Sequence, residues 1–331
     1  MSLLFSPLQV KTLAFPNRIA MPPMVRFHPP MSAEVTDTHG KVTPAVVDYY
    51  RRRAAAGVGL IIVEATAAVA GGRVWEQGLN AYADEHIPGL ARLAEAIRAE
   101  GAVPGIQLVH GGPQADPALC GGEIVGPSAV PAEEGATLPK PLAAEEIAGI
   151  QESFARAAQR VVEAGFRVVE LHGAHGYLLD SFLSVERNRR TDAYGGDLGG
   201  RMRFLVETCA RVHRQLAGRA LLDCRISPFG HLDAGFGPAD LAQLLRGLEG
   251  AGVEIVHLST EGALKGYWGA EKTVGQWAKG YTRLPIIVAG GLRRPESAER
   301  AIAEGHADLA AVGTAMIKHA DWAQKAREAL K

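Results

Sequence analysis

Little in this chain can build disulfides, membrane spans or a surface for polyanions. Its three cysteines, Cys120, Cys209 and Cys224, are odd in number and widely spaced. They form no CxxC pair, so neither a disulfide framework nor a cysteine-ligated metal is expected. No apolar run approaches the roughly 20 residues that cross a bilayer. The opening MSLLFSPLQVK lacks the basic stretch, long apolar core and small-residue cleavage site of a secretory signal. Charge of one sign is missing too: 35 Lys and Arg against 36 Asp and Glu leave a net charge of −1. Nucleic acid and anionic membrane surfaces are therefore not expected as partners. What remains is a soluble, cytoplasmic protein acting on a small, roughly neutral molecule.

Apolar content is what the chain has, 47% by residue type, with 39 Gly and 19 Pro among 331 residues. One phrase recurs, in which a segment of helical period ends in Gly and a short apolar run follows. It reads AAAGVGLIIVEA, AEGAVPGIQLVH, EAGFRVVELH, LAGRALLDCRIS, GAGVEIVHLST and, more loosely, AEGHADLAAVG. Glycine just past a helix end closes the helix in the left-handed conformation, and continuous apolar runs suit parallel strands covered on both faces. The runs predict strands at 18–22, 60–66, 105–110, 167–172, 221–227, 254–260, 285–290 and 308–313. Eight strands separated by helical patterns predict a single-domain α/β fold over 1–331, a (β/α)8 TIM barrel. A doubly wound sheet is the alternative, but GxGxxG does not follow the first strand. Thr43-Pro44 predicts a capped helix start before AVVDYYRRRAAA. Two connections, the Gly- and Pro-rich 111–141 after strand 3 and 173–200 after strand 4, are longer than such units need. Both would lie over the face where strands end, placed to form a lid.

The carboxyl ends of barrel strands carry the chemistry. Here they offer Pro22-Pro23-Met24-Val25, Glu64-Ala65-Thr66, Gln107 with His110, HGAHGY at 172–177, Arg225, Ser259-Thr260, Gly290-Gly291 and Gly313-Thr314. Only Glu64 and Arg225 in that set are charged. A metal hydrolase needs several His, Asp or Glu residues from different strands, and only one strand end offers two histidines, so no metal is expected. A Schiff-base aldolase needs a buried lysine, whereas Lys265 lies beyond strand 6 in a glycine-rich loop. The small residues after strands 7 and 8 stand where backbone N–H groups commonly hold a phosphate. They serve equally well as simple chain turns. The His172–His175 pair and Tyr177 are open at this point to three readings: metal ligands, core residues, or the polar end of a catalytic pocket.

Taken together, FSPLQVKTLAFPNRIAMPPM at 5–24, VDYYRRRAAAGVGLIIVEATAAV at 47–69, DEHIPGL at 84–90, IQLVHGG at 106–112 and ELHGAHGYLLDSFLSVERNRRTDAYGGDLGGRMRF at 170–204 resemble the old yellow enzyme family. These are FMN-dependent ene-reductases, and the resemblance runs in order along nearly the whole chain. It implies FMN as cofactor, NADPH or NADH as reductant, and an α,β-unsaturated carbonyl or similar activated alkene as substrate. His172 and His175 would bind the substrate oxygen, and Tyr177 would protonate the α-carbon. Gln107 would bond the flavin pyrimidine, and Arg225 would place a positive charge near N1 and O2. Pro23, Met24 and Ala65 would contact the ring system, and Gly290, Gly291 and Gly313 the phosphate. Arg189, Arg190, Asp192, Tyr194 and Arg201 would tie the long loop to the barrel. Homo-oligomerisation is also implied, of an order that no sequence feature fixes.

Three positions depart from the pattern. Val25 stands where relatives have a Cys or Thr that donates near the flavin, which predicts a lower flavin potential. Phe27 stands where some relatives place a tyrosine, leaving an aromatic wall for substrate. Thr314 follows Gly313 where relatives read Gly-Arg, with Arg293, Arg294 or Lys318 as candidate replacements for the missing charge. Val25 and Thr314 are also the argument for the alternative: a flavin-deficient barrel acting as a ligand-binding or regulatory protein.

Overall fold

The computed structural model describes residues 2–25, 40–228 and 236–331. Eight parallel strands close into a barrel: β1 (Ile19–Met21), β2 (Leu60–Ala67), β3 (Val103–Val109), β4 (Val168–Gly173), β5 (Leu221–Ile226), β6 (Ile255–Ser259), β7 (Ile286–Ala289) and β8 (Leu309–Ala311). Each pairs with its sequence neighbour, and β8 closes on β1 through Ala310 opposite Ile19 and Ala311 opposite Ala20. Each predicted strand is present with ends shifted by no more than two residues, and the expected TIM barrel is the observed fold.

The recurring glycines explain the regularity. Gly57, Gly101, Gly165, Gly218, Gly252 and Gly305 all take positive φ between a helix and the next strand, a conformation that costs an L-residue roughly 1–2 kcal/mol. Thr43 caps helix Pro44–Ala55 as expected, accepting from the Val46 amide at 3.4 Å.

Side-chain alternation layers the barrel interior. Its lower part is apolar, built from Leu60, Ile62, Val103, Val168, Leu221, Ile255, Ile287 and Leu309, and packs on Val10 and Phe15 of the hairpin Leu8–Val10/Leu13–Phe15. Two residues further along the same strands come Glu170, Asp223 and His257, all fully buried. Two further still stand His172, Arg225 and Ser259. The polar upper half of the barrel is what the active face rests on.

The two long connections bind each other instead of hanging free. Arg187 Nη2 donates to Ala132 O at 2.8 Å, and Arg190 Nη1 to Leu142 O at 2.6 Å and Pro127 O at 3.1 Å. The Arg189 amide bonds Ser128 Oγ at 3.0 Å, and Arg190 Nε bonds Asp192 at 2.9 Å. Arg201 Nε donates to Leu183 O at 2.9 Å, and Tyr194 Oη to Glu207 at 3.0 Å. The RTDAYGG segment is thus held in place largely by arginine donors on backbone carbonyls, bonds stronger than neutral ones because the donor is charged.

Candidate active site

At the carboxyl ends of the strands, His172, His175, Tyr177, Gln107 and Arg225 line one cleft of about 490 Å³ together with Pro23, Met24, Val25, Ala65, Val74, Trp75 and Gln114. Arg225 also borders a second cleft of about 210 Å³ whose walls include Ser259, Thr260, Gly290, Gly291, Arg293, Gly313 and Thr314. Every proposed cofactor residue within the described part of the chain therefore faces one of two clefts that meet at Arg225. Phe27 lies outside the described residues. Val74, Trp75 and Gln114 were not anticipated: they come from connections, where no periodicity marks an inward face.

Ala65 reaches the cleft because β2 is irregular. The register against β3 shifts between Val63 and Thr66, a bulge that adds a residue and re-aims the side chains around it. Counting by twos from Leu60 and Ile62 would turn Glu64 inward. Instead Glu64 is buried and accepts from Tyr50 Oη of helix Pro44–Ala55 at 3.2 Å. It is not a wall of either cleft, which corrects the sequence expectation of a charged strand end there.

The histidine pair sits on a deliberate kink. His175 has φ +63° and Gly176 φ +76°, so a non-glycine residue pays conformational strain to present its ring. Gln114 Nε2 donates to His175 O at 2.7 Å and stabilises that turn. The two rings meet edge to face with centroids 4.9 Å apart, His175 Nδ1 lies 3.3 Å from His172 Nε2, and His175 Nε2 lies 2.8 Å from Ser259 Oγ. Arg225 Nη2, which can only donate, reaches the same Ser259 oxygen at 3.1 Å. Burial, then the neighbouring His175 and Arg225, hold His172 well below the usual imidazole range, so its ring is neutral at neutral pH. His172 Nδ1 is buried without a partner among the described residues. A neutral ring with an unused nitrogen is equipped to hydrogen-bond a ligand oxygen and poorly equipped to ion-pair.

Tyr177 packs edge-on against His172, centroids 4.8 Å apart, and against Trp75 at 6.2 Å. Burial pushes its phenol up to about 12, which keeps the proton on the oxygen throughout the physiological range. His110 is also buried; its Nδ1 accepts from the Gly112 amide at 3.0 Å, and burial pushes it down to about 4. That makes it a neutral structural residue of the loop. Cys224 is sealed in the core beside Cys209, and that contact, then burial, pushes its thiol well above the usual range. Lys265 is exposed and pairs with Glu261 at 3.1 Å, far from the environment a Schiff base needs.

In the second cleft the backbone supplies the donors. Among the described residues, the amides of Gly290, Gly291, Gly313 and Thr314 donate to no backbone carbonyl. Gly290 takes φ +142°, and a Cβ there would lie 2.4 Å from Thr260 O, so no other residue fits. A Cβ on Gly313 would lie 2.8 Å from Met24 Sδ, tying the two clefts together. Of the three candidate basic replacements, Arg293 lines the cleft. Arg294 pairs with Glu296 at 3.8 Å, and Lys318 is not a wall of it.

Below the cleft, Glu170, Asp223 and His257 bring ligand-type atoms within 4.8 Å of one another. His257 Nδ1 and Gln107 Nε2 already occupy the two Glu170 oxygens, each at 2.6 Å.

A family model described as the NADH:flavin oxidoreductase / NADH oxidase family matches residues 3–331. The chain belongs to that family, the old yellow enzymes. It is similar to the NADPH dehydrogenase of Bacillus subtilis, 34% identical over 332 residues, covering 99% of this chain and 95% of that one. The NADH oxidase of Thermoanaerobacter brockii is 35% identical over 98% of this chain but only 50% of its own length. Among solved structures, a morphinone reductase variant in complex with tetrahydroNAD superposes with a TM-score of 0.87 at 28% identity, over 99% of this chain and 91% of that one. The protein is accordingly an NAD(P)H-dependent flavin oxidoreductase with FMN as cofactor.

The clefts suit that cofactor on their own chemistry. Among the described residues, Gln107 Oε1 and Arg225 Nε are buried without partners, as expected of groups that wait for the polar edge of a heterocycle. Pro23, Met24 and Ala65 give the first cleft apolar walls, and the free amides with Arg293 give the second a phosphate cradle. Val25 lines the first cleft, where its side chain can donate nothing to the ring.

Proposed function

We propose that this enzyme reduces the C=C bond of α,β-unsaturated carbonyls and similar activated alkenes. The observation that carries the reading is the convergence of His172, His175 and Tyr177 with Gln107 and Arg225 on one cleft. When bound, FMN supplies the hydride relay, from NADPH or NADH to the β-carbon of the alkene. Gln107 and Arg225 hold its pyrimidine edge, Pro23, Met24, Val25 and Ala65 flank the ring, and Gly290, Gly291, Gly313, Thr314 and Arg293 hold the phosphate. The substrate carbonyl sits at His172 and His175, where the His172 N–H, polarised through His175, stabilises the negative charge that develops on oxygen. Tyr177 gives its proton to the α-carbon.

Ser259 completes the pair's electrostatics. With Arg225 donating to its oxygen, the Ser259 hydroxyl hydrogen can point to His175 Nε2. His175 Nδ1–H then donates to His172 Nε2, which leaves the proton on His172 Nδ1 for the ligand. The chain of donors Arg225, Ser259, His175, His172 carries the pull of a buried cation towards the substrate oxygen. The flavin-deficient alternative has less support, because Arg293 borders the cleft in which Thr314 brings no charge.

Replacing His172 by Ala is expected to weaken binding of phenolic ligands to the oxidised holoenzyme roughly tenfold or more, the loss of a hydrogen bond to a charged oxygen. A titration of the flavin spectrum with a substituted phenol reads this directly. Affinity unchanged within twofold would remove His172 from the oxygen site.

A further inference from the structure

Beneath the cleft, three side chains bond in series across three strands. His257 on β6 contacts Glu170 on β4, and Glu170 contacts Gln107 on β3, each link 2.6 Å long. His257 and Glu170 are fully buried and Gln107 is 1% exposed. Of the three, Gln107 alone borders the cleft. We infer that His257, acting through Glu170, fixes which end of the Gln107 amide faces the cleft, so that its carbonyl oxygen is there to accept a hydrogen bond from the cofactor. The inference rests on the placement of the flavin pyrimidine edge at Gln107 proposed above.

A carboxylate only accepts, while an amide can turn either end. Facing an ionised Glu170, Gln107 must offer Nε2, and its Oε1 is then left buried with no partner. The charge on Glu170 is therefore the switch. Burial by itself would raise its carboxyl; His257 and Arg225 outweigh that and bring it below the usual range. Asp223, the other group facing Glu170, is driven well above the usual range by burial and then by Glu170, so it stays neutral. His257, pushed down by burial, donates to Glu170 from Nδ1. A buried carbonyl left unpaired costs about 1–3 kcal/mol, so the bound molecule should present an N–H there. The pyrimidine ring of FMN has one, at N3, between two carbonyls that Gln107 could not accept from.

Glu170→Gln reverses the link without changing its shape. Its new amide oxygen can accept from His257, and its nitrogen then donates to Gln107 Oε1, turning the Gln107 amide so that its NH2 meets the N3–H. The experiment uses holoprotein loaded with FMN isotopically labelled at N3, and follows the N3–H proton by magnetic resonance: its shift and its exchange with water. In the native protein the proton is expected to be hydrogen-bonded and slow to exchange. Gln107→Leu and Glu170→Gln should each speed exchange roughly tenfold or more, the equivalent of one lost hydrogen bond. His257→Leu should act like Glu170→Gln, whereas His257→Gln, which keeps a donor for Glu170, should restore the native signal. That rescue separates positioning from mere packing. A native signal in Glu170→Gln, alongside a lost one in Gln107→Leu, overturns the inference alone. An unchanged signal in Gln107→Leu overturns the placement of the pyrimidine as well. Should Glu170→Gln not fold, the two His257 variants decide, since equal signals in both overturn the inference. Native N3–H exchange as fast as in free FMN overturns it without any variant.

Discussion

Tyr177→Phe is expected to leave reduction of the flavin by NADPH within about twofold of native, and to slow its reoxidation by cyclohexenone by roughly 10²–10⁴-fold, the usual worth of a positioned general acid. The asymmetry follows from where the proton is needed. The nicotinamide donor gives up hydride without requiring an acid, whereas the alkene must gain a proton at the α-carbon as hydride reaches the β-carbon. Burial raises the Tyr177 phenol to about 12, and a raised value favours the protonated form. Reoxidation in the native enzyme should therefore not lose its donor between pH 7 and 10, and should fall only as pH approaches the phenol's own range. Anaerobic stopped-flow of the two half-reactions separates them. Equal slowing of both would remove Tyr177 from the donor role and return it to packing against His172 and Trp75.

The second large effect concerns stability. Arg53 is fully buried on helix Pro44–Ala55. It donates to Met316 O at 3.0 Å, Ile317 O at 3.1 Å and Tyr49 O at 2.7 Å, and its guanidinium lies 3.6 Å from the centre of the Tyr49 ring. The planar fork serves carbonyls of two helices at once, which a lysine cannot reproduce. Met316 and Ile317 belong to the short helix Thr314–Lys318 that begins at the second cleft. Arg53→Met should cost about 3–5 kcal/mol, since it strands buried carbonyls that a charged donor had satisfied. Urea unfolding of the FMN-free protein reads the loss, and FMN should dissociate faster because Thr314 is less firmly held. A change below about 1 kcal/mol would mean that the two helices dock without this residue.

The fold was legible because its signals are local and repeat. Glycine at each helix end and an apolar run after it occur once per βα unit, and the positive φ at Gly57, Gly101, Gly165, Gly218, Gly252 and Gly305 is their direct cause. Much of the site was legible for the same reason: Gln107, His172, Arg225, Gly290 and Gly313 sit at or just past strand ends, where the barrel puts its chemistry. Glu64, grouped with the strand ends by alternation, faces neither cleft, because a bulge is an extra residue that no alternation announces. Trp75 and Gln114 were missed because connection geometry depends on tertiary contacts. Glu170, Asp223 and His257 were legible but unread: each lies two residues before His172, Arg225 and Ser259 on the same inward face. Period two alone therefore groups them.

A cleft-bound flavin that a nicotinamide nucleotide reduces and an enone reoxidises can be followed in the visible spectrum. Purified protein is incubated with FMN, freed of unbound flavin, and treated anaerobically with NADPH or NADH and then with cyclohexenone. A retained flavin band is expected, bleaching with the reductant and returning with the enone. A band that bleaches and does not return, or no retained flavin at all, would overturn alkene reduction in this cleft.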